Sequence, residues 1–124
     1  MFTFDQVQSV IVEVLEVEPE EVTLDTYVLR DLPTESIDLM EYGVGLAREC
    51  NVDVHDETVF LKSLRNHIVE AEETGATLEN YLLTQYPHLT SERVIEILAT
   101  YKEGPVLKVH DIVAYVDHAK QHKG

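Results

Sequence analysis

Apolar residues recur at steps of three and four along most of this chain, and that spacing commits it to helices. Phe4, Val7, Ile11 and Val14 open the pattern, with Val10 and Leu15 widening the stripe. Thr3 followed by Gln6 predicts a capping-box start. Pro19 ends this helix near Val17, because the residue before a proline avoids helical geometry. A second helix is expected from about Ser36 to Cys50, with Leu39, Leu46 and Cys50 on one face and Ile37, Met40, Val44 and Ala47 beside it. Gly43 and Gly45 interrupt it, each costing roughly 1 kcal/mol relative to alanine. Two such residues call for close helix packing or for space left for something to enter. Asp56 caps a third helix, buried through Phe60, Leu64, Ile68 and Ala71 and followed by Gly75. Thr77 starts a short fourth through Leu78, Tyr81 and Leu82, closed by Pro87. Thr90 or Ser91 caps a fifth, with Val94, Ile97, Leu98 and Tyr101 inward, and Gly104-Pro105 stops it. Val109, Ile112, Val113 and Val116 face inward on the last helix, and the tail KQHKG reads as frayed. The fold class is all-α.

Size and charge narrow the function. At 124 residues the chain fits one domain, and 44% hydrophobic residues suit a folded protein. No apolar run approaches the roughly 20 residues of a membrane helix, and the N-terminus lacks the basic start of a secretory signal. A single cysteine, Cys50, excludes an internal disulfide framework and fits a cytoplasmic protein. The formal net charge is −15. Residues 1–61 hold fifteen acids against two bases, and residues 62–124 hold nine against seven. That balance argues against nucleic acid, which requires clustered Lys and Arg, and for partners with basic surfaces. Acidity kept for solubility is the plainer alternative. His118 and His122 stand four apart at a basic end, and no metal is expected there. Cys50 lacks an evident His partner and reads as a small core residue. No catalytic base or phosphate-cradling glycine loop is found, so the chain is not read as an enzyme.

Residues 19–35 form a connection longer than most loops, with Val22, Leu24, Tyr27, Val28, Leu29 and Leu32 expected to tuck onto the bundle. It leads to the string DLPTESIDLMEY, in which Ser36 opens the second helix. By itself such a serine is a cap, worth about 1 kcal/mol. The register around it says more. Asp31-Leu32, three residues, then Ser36-Ile37-Asp38, followed after the helix by CNVDV, resembles the attachment segment of acyl carrier proteins. Residues 107–119, LKVHDIVAYVDHA, resemble the closing helix of the same family. The departures are Pro33, Thr34 and Glu35 where Gly, a small residue and Asp are usual, and residues 61–105 in place of a short third helix and its linker.

The resemblance implies an acyl-carrier-like four-helix bundle with about two additional helices inserted before the last one. It would form a single domain over residues 1–124, with a core of 3–60 and 106–120 and an insertion at about 61–105. It further implies a covalent 4′-phosphopantetheine on Ser36 carrying thioester-linked acyl groups for lipid, fatty-acid or polyketide-type biosynthesis. Glu35, Asp38 and Glu41 would supply an acidic docking edge, with Ile37 and Met40 as exposed apolar anchors. The partners implied are a phosphopantetheinyl transferase and acyl-transferring or acyl-activating enzymes with basic docking surfaces, met by a monomer. The alternative is a carrier-fold interaction or regulatory module that is never modified. A carrier of amino acids fits less well, since PTES lacks the residues usual before the serine in such carriers.

Overall fold

The structure, a computed structural model, describes residues 2–122. It is all-helical: α1 (Thr3–Leu15), α2 (Ser36–Cys50), α3 (Asp56–Val59), α4 (Leu64–Thr74), α5 (Leu78–Gln85), α6 (Ser91–Thr100) and α7 (Val109–Gln121). Short 3-10 turns at Pro19–Glu21 and Tyr101–Glu103 complete it. The first helix packs between α2 and α7, burying Val7, Val10 and Ile11. The helices α4, α5 and α6 follow one another in contact, and Leu82, Val94 and Ile97 carry their buried faces into the same continuous core.

Several local expectations change. The Thr3–Gln6 capping box does not form. Instead Thr3 Oγ1 donates to Asp117 Oδ1 at 2.6 Å, and Lys120 Nζ donates to Thr3 Oγ1 at 3.0 Å and Gln6 Oε1 at 2.7 Å. A polar clasp to α7 wins over the local cap. It also keeps Lys120 and Gln121 inside α7 instead of in a frayed tail, while Lys123 and Gly124 lie outside the described residues. The third helix is broken. It runs only from Asp56 to Val59, preceded by His55 as its cap, and Leu61 adopts a left-handed φ of 54° before α4 begins. Leu24 is exposed, whereas Val22, Val28 and Leu32 are buried.

The 19–35 connection is held to the start of α7. Tyr27 and Lys108 form an isolated antiparallel bridge. Val28 N–H donates to Leu107 O, Val109 N–H to Thr26 O and His110 N–H to Leu24 O, each at 3.0 Å. Beside this seam lies a buried ion pair. Arg93 of α6 meets Asp111 of α7 with Nε to Oδ1 at 2.7 Å and a second guanidinium nitrogen to Oδ2 at 2.8 Å. The same guanidinium donates to Val106 O and to Glu96 Oε1, both at 2.6 Å. Asp111 also accepts from Lys108 N–H at 2.9 Å. Arg93 is 8% exposed and Asp111 0%, so this cluster is interior.

The glycines of α2 are close-packing residues. A Cβ on Gly45 would stand 2.8 Å from Val10 Cγ1, and one on Gly43 would stand 2.6 Å from Asp56 Oδ1. Val10 is buried and β-branched, so it cannot swing aside freely. Gly45→Ala should therefore destabilise by about 1–3 kcal/mol through overpacking. Helix propensity alone would stabilise by about 1 kcal/mol, so the sign of the change in melting temperature separates the two effects.

His88 stacks edge-on between Tyr86 and Tyr115, with ring centroids 6.1 and 5.3 Å away, and its Nε2 has no partner. Burial pushes its pKa down from 6.5 to about 4, partly offset by Asp111. The folded protein thus binds fewer protons here than the unfolded chain between about pH 6.5 and 4. Stability contributed by neutral His88 is full above the upper value and falls as pH drops through the window, by at most about 1.4 kcal/mol per pH unit. Chemical denaturation across that range should show a shallower slope for His88→Phe than for the wild type.

Candidate functional site

The start of α2 is fixed from two sides. Glu35 is the N-cap, and its backbone N–H is bonded by Asp38 Oδ2 at 2.8 Å, one half of a capping box. Ser36 is consequently the first helical residue and not the cap. Upstream, Thr34 Oγ1 and Tyr42 OH share a hydrogen bond of 2.9 Å, which latches the PTE segment to the helix it precedes. Tyr42 is fully buried, and that burial raises its pKa to about 12, so the latch stays protonated at ordinary pH.

Between these anchors Ser36 is exposed, and its hydroxyl has no hydrogen-bond partner among the described residues. The first-turn amides of a 15-residue helix lie beside it, where the backbone dipole favours an anion. A rigid, solvent-facing hydroxyl in this position suits a phosphodiester linkage.

The six residues singled out from the sequence fall on one continuous surface. Glu35, Ile37, Met40 and Glu41 are exposed along with Ser36, and Asp38 is half-buried because it holds the cap. Ile37 and Met40 are 57% and 54% exposed. Val44, expected beside the buried face, is 63% exposed and extends the same apolar stripe by one turn. The inward positions are Leu39, Tyr42, Leu46 and Cys50. Met40 and Val44 also line a groove of about 440 Å³ with Val10 and Val14 of α1, flanked by Glu13 and Glu41. Acidic and apolar groups thus alternate along this face, with Arg48 at the far end of the groove.

Other candidates stand apart from this surface. Cys50 is buried with its thiol pKa raised by that burial, which makes it a packing residue. His118 and His122 stack on each other with centroids 4.1 Å apart, and His122 Nδ1 lies 2.8 Å from His118 O. No group of three or more His, Cys, Asp or Glu among the described residues could hold a metal ion. Among those residues no helix is long and apolar enough to cross a membrane. Sequence reasoning missed Tyr42 and the Arg93–Asp111 pair. Tyr42 was visible as the residue between Leu39 and Leu46 at steps of three and four.

Comparison with known proteins bears on this region first. Residues 5–66 match the family described as the phosphopantetheine attachment site. The acyl carrier protein of Wolinella succinogenes is 37% identical over 57 residues, which are 46% of this chain and 75% of that protein. That of Campylobacter curvus is 36% identical over 56 residues, 45% of this chain and 73% of its own. That of Campylobacter concisus is 32% identical over 76 residues, covering 60% of this chain and 99% of its own length. No solved structure matches the chain.

Proposed function

Because the chain belongs to the acyl carrier protein family, we propose that Ser36 is its attachment point for 4′-phosphopantetheine and that α2 is its docking helix. The protein is a phosphopantetheine-dependent acyl carrier, and its family works with a phosphopantetheinyl transferase and with acyl-handling enzymes. When bound, the prosthetic group supplies a thiol that holds acyl chains as thioesters. The chain's own residues hold that group at a fixed place. Asp38 and the Thr34–Tyr42 bond keep the helix start rigid, and the helix dipole at that end would favour the anionic root. Nothing in this role calls for a general base in the chain, so the protein acts as a carrier and not as a catalyst.

The observation that carries the reading is the exposed Ser36 hydroxyl, without a partner among the described residues, at a helix N-terminus held by two independent hydrogen bonds. Glu35 and Glu41 would meet Lys or Arg of partner enzymes, while Ile37, Met40 and Val44 would be the apolar contacts they bury. The pathway would be of the lipid, fatty-acid or polyketide type, in the cytoplasm, with the carrier acting as a monomer. In this reading residues 1–124 are one domain, and residues 61–105 are an insertion into a core of 3–60 and 106–120. That division is supported by the packing of α7 against α1, which itself packs on α2.

The test is incubation with coenzyme A and a broad-specificity transferase, followed by mass spectrometry of the intact protein and its peptides. One arm's mass should appear, on the peptide holding Ser36. An unchanged mass, together with tight stoichiometric binding of the bare protein to an enzyme, would favour the unmodified interaction module.

A further inference from the structure

One apolar cleft opens between α2, the broken turn after α3, and the segment leading into α7. It measures about 330 Å³, at the lower edge of small-molecule sites. Leu39, Phe60, Leu61 and Leu107 line it, with Tyr101 at one side. Leu39 is three residues after Ser36 and so lies on the same flank of α2. A chain tethered at Ser36 and laid along that flank meets the cleft directly.

Its rim carries positive charge in a chain where acids outnumber Lys and Arg by 24 to 9. Lys62 and Arg65 are lining residues. Arg30 joins them at Gly104, another lining residue, where a Cβ would come within 3.3 Å of the guanidinium. Gly104 has a φ of 146°, a conformation that strains any other residue, so this approach depends on glycine. Lys102 stands 5.9 Å from the centre of the Tyr101 ring.

None of these four cations has a carboxylate within 4 Å among the described residues. Aromatic rings hold them instead: Arg65 lies 5.9 Å from the Tyr101 centroid, Lys62 6.0 Å from Phe60 and Arg30 4.7 Å from Tyr27. Arg65 also donates to Tyr101 O at 3.3 Å. Glu35, Asp38 and Glu41 belong to the docking edge of α2, and Asp31, Glu57 and Glu103, neighbours of the rim residues in sequence, form no ion pair with them. An apolar slot ringed by cations that make no ion pair among the described residues is complementary to a molecule with an apolar body and a negative end.

Resting on the carrier reading above, we propose that this cleft selects a short acyl group whose far end is a carboxylate, carried as the monothioester of a dicarboxylic acid on the thiol of the arm attached at Ser36. The apolar stem lies on Leu39, Phe60 and Leu107, and the distal carboxylate reaches Lys62 and Arg65. Residues 61–105 then shape the cargo site as well as any surface shown to enzymes.

The experiment loads the protein by transferase from the coenzyme A thioesters of hexanoic acid and, at one end, hexanedioic acid. Thioester cleavage by hydroxylamine is then timed. At low salt the hexanedioyl thioester should be protected about fivefold over the hexanoyl one. The ratio should fall toward one at about 0.5 M salt and in the Lys62→Gln/Arg65→Gln double variant, whose melting temperature should match the wild type. Equal rates in the wild type would overturn the proposal, as would protection that survives both salt and the double substitution. If no arm is accepted at all, the carrier reading fails first. The cleft is then tested on the bare protein, using N-acetylcysteamine thioesters of the same two acids and NMR of the Leu39 methyls and Arg65 Nε–H. Selective shifts with the dicarboxylic probe support the site, and their absence removes it.

Discussion

Arg93→Ala is expected to lower the unfolding free energy by about 3–5 kcal/mol, the cost of leaving a buried charge without its partner. Asp111 is fully buried, and two of its bonds come from the Arg93 guanidinium. Removing that side chain also strips Val106 O of its donor at the point where the chain turns into α7. Urea denaturation followed by circular dichroism measures the loss. A change below about 1 kcal/mol would mean that the pair is open to water. Replacing both partners, as Arg93→Met with Asp111→Leu, should recover most of the stability, because an apolar pair of similar volume avoids the desolvation of two charges. The pair also binds α6 to α7. Any shortened form lacking residues 75–103 would orphan Asp111 and should be read as a folding variant before it is read as a functional one.

Ser36→Ala is expected to abolish arm attachment outright while leaving the fold as it is. The residue is exposed at the first helical position, its hydroxyl bonds to nothing described, and alanine is the best helix former. The stability change should therefore stay within about 0.5 kcal/mol. Loss of the added mass in a protein of unchanged melting temperature isolates the hydroxyl as the reacting group. Retention of the added mass would move the attachment to another residue and end the assignment made here.

The helical class and the limits of α2 were legible because they rest on local period and local stops. The break after α3 was not. Phe60 and Leu64 keep the four-residue step across it, so the pattern continues where the backbone at Leu61 does not. The Thr3 cap failed because its competitor, Asp117, is 114 residues away in sequence. Val44 was misplaced because the apolar stripe of α2 is wider than its core face, and the surplus is what Ile37, Met40 and Val44 expose. The exposure of Ser36 followed from its place at the helix start. Arg93 and Asp111 were invisible, since charged residues are buried only when paired and a pair eighteen residues apart leaves no periodic trace. The four cations around the cleft, unpaired among the described residues, were each plain in the sequence. Their assembly was not, because it joins the 19–35 connection, the broken turn and the end of α6.

The contact of α1 with α7 ties the two ends of the chain together. Thr3 and Gln6 find their partners at Asp117 and Lys120, residues the ribosome adds more than a hundred positions later. At translation speeds of about 5–20 residues per second, α1 waits several seconds with its apolar face unmatched on that side. A nascent chain can pair α1 with α2 early, but its bundle cannot shut until α7 has left the exit tunnel. Strains short of chaperones should therefore lose this protein to aggregation during synthesis more readily than after it.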